Sequence, residues 1–96
     1  MYATMTTFTV KPGMQEIAEK LADELIPGIR GLKGFKSITF FVDPKVDEYW
    51  GFALWESKED AAAALAATGP RLIEALSGIA KGPPTRRMFR VYGPKK

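Results

Sequence analysis

The amino-acid sequence predicts a single α+β domain over residues 1–96, in which strands and helices follow the order β-α-β-β-α-β. Three observations lead to this prediction. Apolar residues follow a helical period after Met14, runs of β-branched and aromatic residues flank that segment, and a strand passes almost directly into an alanine-rich helix at Ser57. Two β-α-β halves joined in this order form a ferredoxin-like plait, a four-stranded antiparallel sheet with both helices on one face.

The first half of the chain predicts a strand and then an amphipathic helix. Residues 2–10 are rich in β-branched and aromatic types, which favour a strand. After a turn at 11–13, apolar residues recur three and four positions apart, as on one face of a helix. We expect the helix to end or kink at Pro27, because proline has no N–H to donate and its ring clashes with the preceding turn. The apolar face comprises Met14, Ile17, Leu21 and Leu25.

The middle of the chain predicts an antiparallel hairpin. One strand runs from Phe35 to Val42 and the other covers residues 48–55, with a turn-forming Asp-Pro pair between them. Because successive side chains of a strand point to opposite faces, alternate residues are expected to share a face. The expected sets are Phe35, Ser37, Thr39 and Phe41 in the first strand, and Tyr49, Gly51, Ala53 and Trp55 against Trp50, Phe52 and Leu54 in the second.

The second helix is predicted to begin at Ser57. Serine is a favoured N-cap, and Asp60 follows at the position where an acidic residue can complete a capping box. We expect residues 68–70, Thr-Gly-Pro, to interrupt this helix and residues 71–76 to form a separate helical segment. A loop over 77–84, a last strand over Thr85–Tyr92 and a tail over 93–96 are expected to follow.

Missing residue types exclude several functions. The chain has no cysteine and no histidine, which removes disulfides, thiolate chemistry, the commonest general base and the commonest metal ligand. No phosphate-binding, dinucleotide-binding, serine hydrolase or calcium-loop motif is present, so we expect no metal and no cofactor. No segment approaches the roughly 20 apolar residues that span a bilayer, and residues 1–4 lack a basic region followed by an apolar run, so we expect no signal peptide. We therefore expect a cytoplasmic protein with no membrane partner.

Composition also predicts self-association. Apolar residues make up 46% of this small domain, and both faces of the expected strands carry large apolar groups. Since the helices of a plait cover only one face, we expect the other face to pack against a second copy in a homodimer. The net charge of +3 is concentrated at the C-terminal end, as an anion-binding patch or, more ordinarily, as a charged edge that resists strand pairing. The cations there are Arg86, Arg87, Arg90, Lys95 and Lys96.

Four short segments carry a resemblance to a known family. They are Met1-Tyr2-Ala3-Thr4, Val10-Lys11-Pro12-Gly13, Gly31-Leu32-Lys33-Gly34-Phe35 and Trp55-Glu56-Ser57-Lys58-Glu59. In this order and spacing they resemble the antibiotic biosynthesis monooxygenase-like family, whose members form dimeric α+β barrels. The resemblance covers nearly the whole chain.

The resemblance implies an activity as well as a fold. Some members add dioxygen to electron-rich polycyclic phenols with neither metal nor flavin, and others degrade haem. The haem-degrading branch uses an Asn, a Trp and a His, whereas this chain has no Asn or His and Ala64 stands near the expected Trp position. We therefore expect no haem degradation, and the branch with a His-containing site for signalling molecules fits equally poorly.

The strand at 48–55 also predicts a ligand pocket. Gly51 and Ala53 lie between Tyr49 and Trp55, which would leave a hollow with aromatic walls suited to a flat ligand. The alternative is that the small residues let a helix or a second subunit pack closely. Met5 is a further candidate for the lining, although core filling is its more ordinary role.

Oxygenation without a cofactor needs a base, a cation or donor for the developing anion, and a dry pocket. The candidate bases are Glu74 and Tyr49, the candidate cations are Arg71 and Arg86, and the candidate donors are Tyr49 and Trp55. Each of these side chains also has an ordinary structural interpretation, and Arg71 and Glu74 could simply pair along one helix face.

RNA-recognition domains share the same element order. Their third strand carries a basic residue and an aromatic where this chain has Trp50 and Leu54, so we expect no nucleic-acid partner.

The leading interpretation is a small-molecule-binding protein, with cofactor-independent monooxygenation of an aromatic or quinone-like compound as its candidate activity. The alternative is a non-catalytic dimeric module that binds a hydrophobic ligand or only mediates association.

Overall fold

The computed structural model describes residues 1–93, and the last three residues of the expected tail lie outside them. The element order is the expected β-α-β-β-α-β. The strands are β1 (Tyr2–Thr9), β2 (Phe35–Asp43), β3 (Glu48–Trp55) and β4 (Thr85–Arg90), and the helices are α1 (Gln15–Arg30) and α2 (Lys58–Leu76). No helix within this part of the chain is long and apolar enough to cross a membrane.

The four strands form one antiparallel sheet in the order β2-β3-β1-β4. β1 and β3 occupy the centre, with Tyr2 opposite Trp55 and Phe8 opposite Tyr49. This order and the two helices confirm the predicted ferredoxin-like fold. Because directly opposed residues share a face, the register assigns alternate residues of every strand to the helix side or to the far side of the sheet.

Both helices continue through a proline, so α1 does not end at Pro27 and α2 is not interrupted at 68–70. α1 runs to Arg30 with Pro27 inside it, and α2 is a single helix to Leu76 with Pro70 inside it. Each proline leaves the carbonyl four residues earlier without its helical donor. Both prolines and both of the residues four positions earlier are exposed, so water can satisfy the freed carbonyls and the helices need not end.

β2 also departs from the expected alternation. The register shifts between Phe35 and Ser37, which places an extra residue in β2 at this point. Phe35 consequently lies opposite Trp55 on the helix side, and its ring meets the indole edge-on with centroids 5.7 Å apart. The expectation that Phe35 shares a face with Ser37 is therefore wrong. At the other end of the chain, β4 stops at Arg90 rather than Tyr92.

The junction between β3 and α2 has the expected N-cap, but the Asp60 carboxyl group turns to Gly34 and does not complete a capping box. Ser57 has an extended backbone, and its hydroxyl accepts a hydrogen bond from the Asp60 N–H at 3.1 Å. The Asp60 carboxyl group fills the space beside Gly34, so a side chain at this position would clash with it. The φ of Gly34 is +80°, a backbone conformation that also favours glycine. The Glu56 N–H donates to the Gly34 carbonyl at 2.8 Å and ties the start of β2 to this junction.

The core lies between the sheet and the helices, in two clusters. One surrounds Trp55, which is 2% exposed and packs against Ala61 and Ala64 of α2. The other joins Val10, Ala18 and Tyr49 at the opposite end of the sheet. The small side chains let the helices approach the aromatic rings, which is the close packing that the alanine-rich sequence allows.

Candidate functional site

A cavity of about 510 Å³ lies between the helix side of the sheet and the two helices. Its size is within the range of ordinary small-molecule sites. Most of its lining is apolar, and the floor comes from alternate residues of the strands. The polar or charged lining residues are Thr4, Thr6, Glu19, Asp23, Tyr49, Thr68, Arg71 and Arg86.

The floor of the cavity is formed by one row of paired residues across the sheet. Phe40, Gly51, Thr6 and Arg86 are paired neighbours in this row. A Cβ on Gly51 would lie 3.2 Å from the Phe40 ring, so this ring leans over the position where Gly51 has no side chain. The hollow expected beside Gly51 is thus partly closed by Phe40 and partly open to the cavity.

Trp55 forms a fixed wall at one end. Its side chain is buried, and its Nε1–H donates to Thr4 Oγ1 at 3.0 Å. The same bond gives the buried Thr4 hydroxyl a partner, which it requires away from water. Because the indole N–H is already bonded, Trp55 supplies the cavity with an aromatic surface rather than with a free donor.

Tyr49 forms the opposite wall and is also engaged. Its ring stacks on Phe8, with centroids 5.5 Å apart, and its hydroxyl donates to Glu19 Oε2 at 2.8 Å. The Gln15 carbonyl lies 3.1 Å from the same hydroxyl. Burial, and then the bond to Glu19 and the charge of that carboxylate, raise the pKa of Tyr49 well above its usual range. Tyr49 is therefore a neutral phenol at physiological pH and is unsuited to the role of base.

Arg86 is the charged group of the cavity floor. Its guanidinium donates to Thr6 Oγ1 at 3.1 Å, to the Leu65 carbonyl at 2.9 Å and to Thr68 Oγ1 at 2.7 Å. All three acceptors are neutral, and among residues 1–93 Arg86 has no ion-pair partner. Burial lowers the pKa of Arg86, but an arginine side chain stays charged at neutral pH.

These bonds leave Arg86 ready to contact a ligand. A guanidinium has five N–H donors, and three are used by the protein. The bonds span β1, β4 and α2, so they hold the group in one position before any ligand arrives. A fixed cation beside an apolar cavity is the arrangement that stabilises a developing negative charge most strongly.

The remaining candidates from the sequence divide between the cavity and the surface. Ala53 and Arg71 line the cavity, as do Tyr49, Gly51 and Trp55. Met5 faces the far side of the sheet, because it alternates with Thr4 and Thr6. Glu74 is exposed on α2 and outside the lining, and no ion pair joins it to Arg71 in the described part of the chain.

The structure adds two carboxyl groups that sequence reasoning missed. Glu19 and Asp23 line the cavity from α1, although both lie on the polar side of the helical pattern. They are four residues apart and so occupy one stripe of the helix. That stripe borders the apolar face, and a search for acids flanking the apolar face would have found it. No group of three or more acidic side chains within residues 1–93 is placed to hold a metal ion.

Comparison with known proteins assigns this chain to a family. The model of the antibiotic biosynthesis monooxygenase family matches residues 1–69, which is well over half of the chain. The chain therefore belongs to this family, as the resemblance of its sequence segments implied. A comparison of the sequence with curated proteins finds no match.

Solved structures agree on the fold. A monooxygenase from the gene ActVA-Orf6 of Streptomyces coelicolor, in complex with the ligand nanaomycin D, is 26% identical with a TM-score of 0.77, over 99% of this chain and 90% of that one. SnoaB, a cofactor-independent oxygenase from Streptomyces nogalater, is 20% identical with a TM-score of 0.77, over 97% and 94%. NE2512, a protein of unknown function from Nitrosomonas europaea, is 14% identical with a TM-score of 0.83, over 99% and 92%.

Proposed function

We propose that this protein binds a flat aromatic or quinone-like compound in the cavity and oxygenates it without a cofactor. The observation that carries the proposal is the Arg86 guanidinium, which is fixed by three neutral oxygens beside an apolar cavity. The family match and the monooxygenases among the structural neighbours support the same activity.

The chemistry requires only an acidic substrate and dioxygen. In an anthrone-type substrate, loss of a proton from the ring CH₂ gives an anion whose charge is on the ring oxygen. That anion reacts with dioxygen, one oxygen atom becomes the new carbonyl, and the other leaves as water with the two hydrogens of the CH₂. Arg86 would stabilise the anionic oxygen, and the phenyl and indole walls would hold the ring system away from water.

The proton acceptor would come from α1. Glu19 and Asp23 are the carboxyl groups on the cavity wall, and Glu19 is held in place by the Tyr49 hydroxyl. This assignment replaces Glu74 and Tyr49 as bases, because Glu74 lies outside the cavity and Tyr49 keeps its proton.

We also propose that the protein is a homodimer formed through the far side of the sheet. Met5, Trp50, Phe52 and Leu54 lie on this side, where neither α1 nor α2 covers them. They are half-buried by one another and form a continuous apolar surface on the two central strands. A second copy would remove this surface from water and leave the cavity side free for a ligand.

The test is oxygen consumption with anthrone and 1,8-dihydroxyanthrone, with the anthraquinone product measured alongside. We expect an Arg86→Gln variant to lose about 100-fold in kcat/KM, as when one oxyanion donor is removed. Arg86→Lys should retain part of the activity, because it keeps the charge. Arg30→Gln, which removes an exposed cation outside the cavity, is the matched control. Consumption at the uncatalysed rate with both substrates would exclude the oxygenase.

The non-catalytic alternative is favoured by one specific observation. Both polar groups of the aromatic walls, the Tyr49 hydroxyl and the Trp55 N–H, are bonded within the protein. A site that uses its walls only as apolar surfaces suits ligand binding without turnover. Saturable binding of anthraquinone, seen as quenching of tryptophan fluorescence, without oxygen consumption by any substrate would establish this alternative.

A further inference from the structure

The cavity has a second guanidinium close to the first. Arg71 lies on α2 three residues after Thr68, whose hydroxyl accepts a bond from Arg86. Positions three apart are neighbours on one face of a helix, so Arg71 of α2 lies close to the point where Arg86 of β4 bonds to this helix. Within residues 1–93, Arg71 makes neither an ion pair nor a side-chain hydrogen bond.

Arg71 extends across the gap between the helices. Its Nη1 atom lies 3.3 Å from the position that a Cβ on Gly28 would occupy. Gly28 is inside α1, where glycine is less favourable than alanine. A methyl group at this position would crowd the guanidinium. The absence of a side chain at Gly28 therefore makes room for Arg71 at the exposed mouth of the cavity.

The acidic groups of the lining lie elsewhere. Glu19 and Asp23 are on an earlier part of α1, and Gly28 is five residues after Asp23, about 7.5 Å further along the helix axis. The carboxyl groups and the Arg71 guanidinium thus occupy different parts of the wall. Such a polarised cavity would orient a ligand that has one negatively charged end.

From this arrangement we infer that the ligand carries an acidic substituent, ionised at neutral pH, that Arg71 binds at the mouth of the cavity. The inference rests on the proposed function and adds the substrate class, an aromatic carboxylic acid rather than a neutral ring system. A planar guanidinium matches a carboxylate through two parallel hydrogen bonds. Arg86 would meanwhile contact the oxygen on the ring.

The test compares two ligands of equal size, anthraquinone-2-carboxylate and anthraquinone-2-carboxamide, by titration calorimetry of the full-length protein. We expect the carboxylate to bind about five-fold more tightly, the effect of one exposed charge pair. Arg71→Gln should reduce this ratio to about one, and Arg30→Gln should leave it unchanged.

Two results would overturn the inference and leave the proposed function standing. One is equal affinity of the unmodified protein for the two ligands. The other is a preference for the carboxylate that Arg86→Gln removes and Arg71→Gln does not, which would place the acidic group on the cavity floor. Failure of both ligands to bind would overturn the proposed aromatic-binding function and this inference with it.

Discussion

The two faces of the sheet are built from the same strands but differ in what surrounds them. On the helix side, the Trp55 indole is buried and donates to Thr4, 51 positions away in the chain. On the far side, the Trp50 indole is half-buried and donates to Glu48, two positions away. The indole N–H on the helix side is thus bonded to a residue distant in the chain, whereas the indole N–H on the far side is bonded to a near neighbour. The far side therefore remains available to a second chain.

This difference shows how one short strand can serve two purposes. In β3, the odd-numbered residues from Tyr49 to Trp55 surround the cavity, and the even-numbered residues face away from it. The two sets can therefore be changed independently. Substitutions on one face of β3 at a time are the most direct test of the difference between the two faces.

The largest expected effect is on the stability of the single chain. Trp55→Ala should lower the free energy of unfolding by about 3–5 kcal/mol, because it empties a buried site and leaves Thr4 without its donor. Urea denaturation at two protein concentrations measures this loss, which should be the same at both. Trp50→Ala is the matched variant on the other face, and its loss should grow with protein concentration. Equal behaviour of the two variants would contradict the distinction between the faces.

The next effect concerns association. Phe52→Glu should raise the dissociation constant of the homodimer by about 100-fold, because each subunit loses an apolar contact and gains a charge. Sedimentation equilibrium measures the change. Ile73→Glu, which places the same charge on an exposed apolar residue of α2, should have no effect. A stable monomer of the unmodified protein at micromolar concentration would disprove the proposed dimer.

The smallest expected effect concerns Tyr49 and pH. The pKa of Tyr49 is raised in the folded protein, so the stability that its proton provides is complete below the ordinary tyrosine pKa of about 10 and decreases as the pH rises above it. Tyr49→Phe should therefore be about 1 kcal/mol less stable near pH 8 and closer to the unmodified protein near pH 11. Urea denaturation at both pH values measures this.

The control for that prediction is the exposed Tyr92. Tyr92→Phe should follow the unmodified protein at both pH values. A constant difference between Tyr49→Phe and the unmodified protein across this range would show that the bond to Glu19 does not hold the phenolic proton.

Local sequence signals were enough to predict the fold. The N-cap at Ser57 and the alternation from Tyr49 to Trp55 depend on neighbouring residues alone, and both were found. The predicted helix end at Pro27 and the predicted break at Pro70 are not found, because an exposed helix face tolerates a proline that a buried one would not. The irregularity at Phe35 was missed, because nothing local distinguishes an extra strand residue.

The candidate site was less predictable for a different reason. Tyr49 and Trp55 were recognised as aromatic walls, but their hydrogen bonds join residues 30 and 51 positions apart, which no local pattern reveals. Glu74 is a candidate base from its place on the second helix, but the structure leaves it outside the cavity lining. The placement of Glu19 beside Tyr49 instead depends on how α1 crosses the sheet.

The central position of β1 has a consequence for biosynthesis. β1 must pair with β4, which is made after the other three strands, and the bond from Arg86 to Thr6 closes a span of 80 residues. Contacts so distant in the chain slow folding. A nascent polypeptide that lacks β4 would have an open sheet edge at β1 and no Arg86 on the cavity floor, so the cavity is completed only after β4 has been made.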